Sequence, residues 1–533
     1  MSMFAVFMFI CMLMVAGIGI DLMRYERDRA TLQNTLDRAV LAAADLDQTQ
    51  DATTVVTDYF TKAGIGDYLT SVAVDEGLGY RTVNAQAQSS LNTYFLPLLG
   101  IDELTAPADG AAEERIGSVE ISLVVDVSGS MGRNSRITRL KSAAKEFVDA
   151  ILDASNSGGA SISVIPYAMQ VNAGKPILKN YTTTAEHDYS HCVNFNDDQF
   201  SKSGLSRDEI LELTAHFDPF TQDDDGVTYT VCPTFDYSQI LPFTDDKAVL
   251  YQYIEDLRAW DAPSGGTSID IGMKWGTVLL DPSTQPVVSA LIRDGEVDAK
   301  FDGRPRAYGS AETLKIIVLM TDGENTDQYM LNPSMRSGMS DVWYKPVTSD
   351  TNLNGIKDIG EIDFDDARYS VMHSNGETTE YWWPDSGFKD WYDHPYGNGS
   401  YQVCTDLGSC ILREEQGDAE RLTFPELFNR TSLAYNADFI HSYQGNRWTV
   451  WYNNAFSKKE SSAKDQRTKN ICSAAKNQGI AVFTIGFEAP RSGQRLLSRC
   501  ASSPSHHFDV NGLDIADAFA AIAASITKLR LVQ

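Results

Sequence analysis

The sequence predicts an α/β protein whose doubly wound, mostly parallel sheet follows an N-terminal transmembrane helix and is interrupted by two long insertions. Three apolar runs carry the sheet. Val119 to Val125, Leu314 to Met320 and Ile480 to Gly486 are near-continuous and rich in β-branched residues, as strands buried on both faces must be. Helical periodicity from Ile137 to Leu152 follows the first run, Ser161 to Ile165 reads as a further strand, and helical segments flank the third run. Such alternation favours parallel strands with helices on both faces. The 533 residues suffice for more than one core, at roughly 150 residues per domain.

Met1 to Ile20 contains no charged residue and spans ~30 Å as a helix, the thickness of a bilayer core. It lacks the polar stripe of a soluble core helix. The first Ala-x-Ala, Ala42 to Ala44, lies too far downstream to serve as a cleavage site, so residues 1–22 read as a retained anchor. Beyond Asp21 the residues Leu32, Leu36, Ala39, Val40 and Ala43 recur at helical intervals, which continues the helix to about Ala44. Residues 23–115 read as this amphipathic helix and a small mixed segment. That segment ends in the linker-like Ala106-Pro107-Ala108-Asp109-Gly110. Residues 116–533 read as the α/β domain, with insertions at about 170–243 and 324–462.

The charge balance is 44 minus 73, or −29, which disfavours nucleic acid because phosphate binding depends on Lys and Arg. The 43% hydrophobic and 22% charged content excludes wholesale disorder. Cys11 lies within the anchor, and the other six cysteines all lie beyond residue 190. An even set suggests disulfides and an oxidising compartment. Order alone does not fix the connectivity. Neighbours in sequence give Cys192–Cys232, Cys404–Cys410 and Cys472–Cys500. Arg24, Arg27 and Arg29 after the anchor favour a cytoplasmic bulk, whereas paired cysteines favour export. Export is the reading adopted.

The first strand ends in Asp126-Val-Ser128-Gly-Ser130, and the Leu314 to Met320 strand runs into Thr321-Asp322-Gly323. Between them Gly265-Gly-Thr267-Ser268 opens a helix. Sites in such sheets form at the carboxyl ends of strands. Asp126, Ser128, Ser130, Thr267 and Asp322 offer two carboxylates and three hydroxyls, a hard oxygen set suited to Mg²⁺ or Mn²⁺. A second pattern runs from Asp350 through Asn352, Asn354, Ile356 and Asp358 to Glu361. It fits the Ca²⁺ loop D-x-[DN]-x-[DN]-G-x₅-E, with Gly355 at the sharp turn.

The Asp-x-Ser-x-Ser motif, with the later Thr and Asp, resembles the metal-ion-dependent adhesion site of von Willebrand factor type A domains, which have a Rossmann-like fold. The resemblance implies that Asp126, Ser128, Ser130, Thr267 and Asp322 hold the ion. It also implies that one coordination position is left for a carboxylate from a protein partner. The anchor, Leu32-Gln33-Asn34, the stretch Ala39 to Ala44, Ile480 to Gly486, Cys500-Ala501 and the tail Thr527 to Gln533 resemble TadG-like proteins of the tight-adherence (Flp) pilus assembly machinery. That likeness covers residues 1–170, 244–325 and 465–533. It implies a single-pass protein of the bacterial inner membrane, with a periplasmic bulk that binds other pilus assembly components.

Enzyme motifs are missing: there is no His-Glu-x-x-His, G-x-S-x-G or Walker loop. A non-enzymatic protein is therefore expected. A surface-exposed adhesin that binds a host or matrix ligand is the alternative, with a hydrolase third. The second insertion holds six of the eight tryptophans, which suit either a ligand surface or a small core of its own.

Overall fold

A computed structural model describes residues 2–45, 48–77, 80–115, 117–155, 159–222, 226–260, 266–310, 313–345, 368–384, 391–404, 410–415, 418–512 and 514–527. Helix α1 (Ser2–Ala44) is continuous, and it is long and apolar enough to cross a membrane. Its first half exposes large apolar side chains such as Met3, Phe4, Phe7 and Phe9. Its second half buries Leu32, Leu36, Ala39, Val40 and Ala43. That stripe packs on α2 (Ala52–Lys62), through Val55, Val56 and Phe60, and on a three-stranded antiparallel sheet. The sheet comprises β1 (Leu69–Gly77), β2 (Tyr80–Asn92) and β3 (Glu103–Arg115).

Here the structure corrects one expectation. Ala106 to Gly110 is no linker but the middle of β3, paired in register with β2 from Ala85 to Ser89. The cause is alternation. Ala106, Ala108 and Ala112 face inward and are buried, while Pro107 and Asp109 point away. A Cβ on Gly110 would lie 3.2 Å from Leu36, so small residues let α1 approach the sheet closely. Composition suggested a break because Ala, Pro and Gly are poor strand formers, but here fit against the helix decides.

The α/β domain is built on a six-stranded sheet. Its central strands are β4 (Ser118–Asp126), β5 (Ala160–Tyr167) and β7 (Thr313–Thr321), and Val119 pairs in parallel with both Ala160 and Leu314. On one edge β6 (Leu241–Thr244) runs antiparallel to β5. On the other, β8 (Ala481–Phe487) and β9 (His507–Val510) add parallel strands. Helices cover both faces. Helix α3 (Arg136–Asp153) buries Leu140, Phe147 and Val148 on one, and α5 (Ile269–Val278), buried along its whole length, lies on the other with Trp275. Helix α4 (Lys247–Asp256) follows β6, and α6 (Gln285–Arg293) follows α5.

The first insertion lies between β5 and β6 and is crossed by the Cys192–Cys232 disulfide. The second leaves after β7 and returns at α7 (Ser461–Asn477). It carries a five-stranded antiparallel sheet with Met339–Lys345 between Arg368–Ser374 and Glu420–Thr423. Trp382, Trp383 and Trp451 are buried there, whereas Trp391 is 39% exposed; Trp382 and Trp451 belong to the same apolar cluster as the α3 face of the main sheet, so these aromatics pack the insertion onto the domain and do not form a separate core. Cys404 and Cys410 are register partners on adjacent strands, and their side chains lie outside the described residues.

Cys472 in α7 is bonded to Cys500 in α8 (Arg491–Cys500), tying together the helices on either side of β8. The 28-residue separation corresponds to ~3–4 kcal/mol in the chain-entropy account. A Cys472→Ala/Cys500→Ala variant should therefore lose about that much in urea unfolding, and unchanged stability would show that the bond is not formed.

Candidate metal centre

Asp126 ends β4 and Asp322 follows β7, and because these strands are parallel neighbours both carboxylates emerge at one edge of the sheet. Asp126 is fully buried. Its Oδ1 accepts the Ser128 backbone N–H at 2.8 Å, and its Oδ2 accepts the Thr321 hydroxyl at 2.6 Å. Ser128 Oγ and Ser130 Oγ are 3.1 Å apart, and Ser130 Oγ donates to Asp322 Oδ1 at 2.7 Å. Thr267 is buried beside Gly323, where an added Cβ would sit 3.8 Å from its hydroxyl. All five residues singled out in the sequence thus converge on this edge.

The two spacings among Ser128, Ser130 and Asp322 bracket the ~2.9 Å expected between neighbouring ligands of an octahedral ion with bonds of ~2.0–2.1 Å. Among the described residues no group of three or more His, Cys, Asp or Glu side chains is arranged to hold a metal. An ion here would draw most of its shell from hydroxyls, and the oxygen set fits Mg²⁺ or Mn²⁺ rather than Zn²⁺. Electrostatics point the same way. Burial first, and then the negative charge of Asp322, push the Asp126 carboxyl up to about 7, so its anion is poorly compensated by the protein.

The rim carries residues that no motif announces. Asn134 and Ser135 both adopt left-handed backbone angles, turning the chain so that Arg136 opens α3 next to the site. Arg136 Nη1 donates to Asp322 Oδ2 at 2.7 Å and its Nε to Glu488 Oε2 at 2.8 Å. Glu488, itself left-handed, also accepts Arg139 Nη1 at 3.1 Å.

Beneath the rim, the Thr267 backbone exchanges hydrogen bonds with Thr326, through N–H to Oγ1 at 2.9 Å and carbonyl from N–H at 3.0 Å. Lys464 Nζ donates to Thr267 O at 3.0 Å and Thr326 O at 2.7 Å. Lys464 and Asp270 are fully buried, with Arg467 nearly so; Asp270 lies 3.9 Å from Lys464 and 3.8 Å from Arg467. Burial pulls Lys464 down to about 8 against the opposing pull of Asp270. A signal for this platform exists in the sequence. Lys464, Arg467, Thr468, Ile471, Cys472 and Ala475 form one helical stripe, so two cations share a face with apolar residues.

The Ca²⁺-loop residues Asp350, Asn352, Asn354, Ile356, Asp358 and Glu361 lie outside the described residues, between the paired strands Met339–Lys345 and Arg368–Ser374.

A doubly wound, mostly parallel sheet with an Asp-x-Ser-x-Ser loop at its carboxyl edge defines a mixed α/β domain. Ahead of it, residues 1–46 match the family model for putative Flp pilus-assembly TadE/G-like proteins, so this segment is TadE/G-like. No curated protein matches the chain. Among solved structures, the vWF domain of the type V pili tip protein Mfa5 from Porphyromonas gingivalis is 17% identical, covering 78% of this chain and 98% of its own, with a TM-score of 0.32. The pilus adhesin SpaC from Lactobacillus rhamnosus GG is 12% identical over 86% of this chain and 34% of its own, with a TM-score of 0.29. The adhesive tip pilin GBS104 from Group B Streptococcus agalactiae is 12% identical over 77% of this chain and all of its own, with a TM-score of 0.28.

Proposed function

We propose that this is a membrane-anchored, periplasmic protein of Flp/Tad pilus assembly that binds a protein partner through a divalent metal. Asp126, Ser128, Ser130, Thr267 and Asp322 would hold Mg²⁺ or Mn²⁺, and the ion would supply an electrophilic position for a partner carboxylate. The observation that carries the reading is the convergence of these oxygens around a buried, poorly compensated Asp126, joined to a TadE/G-like N-terminus. Two carboxylates only balance the charge of the ion, and neutral hydroxyls are weak donors at its other positions, so an external carboxylate would still compete well for an open position. Disulfides in both the first insertion and the α7–α8 region support the periplasmic placement. The role is binding, not turnover.

Co-purification in mild detergent tests the assembly role. Recovery of membrane-embedded pilus components is expected. Their absence, together with release of the protein to the cell surface, would favour the adhesin reading, for which Trp391 at the sheet edge is an exposed aromatic.

The Ca²⁺ loop is a separate proposal. Glu361→Ala removes the bidentate ligand and should weaken Ca²⁺ binding at least tenfold while leaving the Asp126 site intact. Ca²⁺ should protect the 340–370 segment from protease in the wild type, and no protection would reduce the loop to an acidic turn.

A further inference from the structure

The 43-residue helix α1 ties a second apolar element to the end of its membrane-spanning half. Asp21 is fully buried, and its Oδ2 accepts the backbone N–H groups of Tyr94 at 3.1 Å, Phe95 at 2.7 Å and Leu96 at 3.0 Å. Arg24 stands 3.6 Å from the same carboxylate and 4.2 Å from the centre of the Tyr94 ring. One turn earlier, Gly17 leaves room for Phe95, whose ring would lie 2.4 Å from any added Cβ. The loop joining β2 to β3 is thus held against α1 at two consecutive turns.

Its shape is fixed as well. The β2–β3 ladder closes at Asn92 and Glu103, and the Thr93 N–H and hydroxyl donate to Asp102 O at 3.0 Å and Ile101 O at 2.6 Å. Gly100 ends the short helical turn in the left-handed region. Within this rigid loop Tyr94 is 70% exposed, Leu98 65%, Leu99 59% and Ile101 42%. Apolar side chains of this size gain nothing from water, and the loop that bears them is fastened to α1 at residues 17–21, the last turn of the apolar run, through Tyr94, Phe95 and Leu96.

We infer that the loop Tyr94–Ile101 is a second membrane contact, a foot whose leucines enter the lipid bilayer surface beside α1. The occupant follows from position, since a surface fixed at the membrane exit meets acyl chains and headgroups first. Tyr94 and Arg24 suit the headgroup level, the tyrosine as an interfacial ring and the arginine as a snorkelling cation. Asp21 lies where a bare charge would be costly, and three N–H donors and Arg24 compensate it. Two contacts fix orientation where one helix would leave it free, so the foot would hold the β1–β3 layer at a set angle to the membrane. The inference rests on reading α1 as an anchor.

The test uses the full chain in vesicles of phosphatidylethanolamine and phosphatidylglycerol, with and without doxyl-labelled acyl chains. Dansylalanine replaces Leu99, Leu98, Cys11 or, as a distant exposed control, Ile210, which is 67% exposed. Emission at positions 98 and 99 should be blue-shifted and quenched at least twofold by doxyl lipid, as at position 11, with position 210 unaffected. Quenching at 11 but water-like or unquenched emission at 98 and 99 would overturn the foot and leave the anchor standing. Loss at position 11 as well would refute the anchor and the foot together. Asp21→Asn should abolish quenching at 99 and keep it at 11; quenching at 99 that survives this change would overturn the clamp.

Discussion

Asp126→Asn is expected to abolish stabilisation by Mg²⁺ and to flatten the pH dependence of metal-free stability. With its carboxyl raised from 3.8 to about 7, the metal-free folded protein holds a proton that the unfolded chain has already lost. More protons bound in the folded state means that stability falls as pH rises. The fall begins near the unfolded value and is complete once pH passes the folded one. At ~1.36 kcal/mol per unit the loss has a ceiling on the order of 4 kcal/mol. Divalent cation reverses it by binding the ionised form, by ~2.7 kcal/mol when its concentration is a hundredfold above Kd. Thermal melts at pH 5 and pH 8, with and without Mg²⁺, read both effects. Wild type should gain from Mg²⁺ mainly at pH 8, and Asp126→Asn at neither pH. The fold itself should persist, because β4 and β7 are buried between helices and do not depend on an ion. Equal Mg²⁺ response in wild type and variant would place the ion elsewhere.

Lys464→Met should cost ~3–5 kcal/mol in urea unfolding, the usual penalty for stranding one member of a buried ion pair. Asp270 would be left with Arg467 alone, and the carbonyls of Thr267 and Thr326 would lose their shared donor. Because that donor holds the loop bearing the Thr267 hydroxyl, Mg²⁺ affinity should fall as well. Lys464→Met combined with Asp270→Asn should recover part of the stability, since the stranded charge is gone, but not the affinity. A loss below ~1 kcal/mol in the single variant would mean that the platform is solvated in solution.

The strands that place the centre were legible because they are buried on both faces. Val119 to Val125 and Leu314 to Met320 need no partner to be recognised, and once they pair in parallel Asp126 and Asp322 must share an edge. The anchor and its amphipathic continuation were legible through uninterrupted apolarity and helical spacing. β3 was hidden because its inward face is alanine and glycine, whose role is set by the closeness of α1 and not by intrinsic preference. Arg136 and Glu488 were hidden because they meet across 352 residues of sequence, and nothing local marks either. Lys464 was half-visible: two cations, Lys464 and Arg467, on one stripe with apolar residues signal a buried role, but the target of Lys464, the Thr267 loop, is supplied only by the fold.

The central claim is that a divalent metal at the Asp126 edge joins this protein to a carboxylate on a pilus assembly partner. Capture of that partner from detergent-solubilised membranes, by tagged wild type and Asp126→Ala, tests it directly. Wild type should retain the partner in Mg²⁺, release it in EDTA and regain it when Mg²⁺ returns, while Asp126→Ala should retain none under any of these conditions despite an unchanged circular dichroism spectrum. Capture that survives both EDTA and Asp126→Ala would contradict the claim and assign recognition to the insertions.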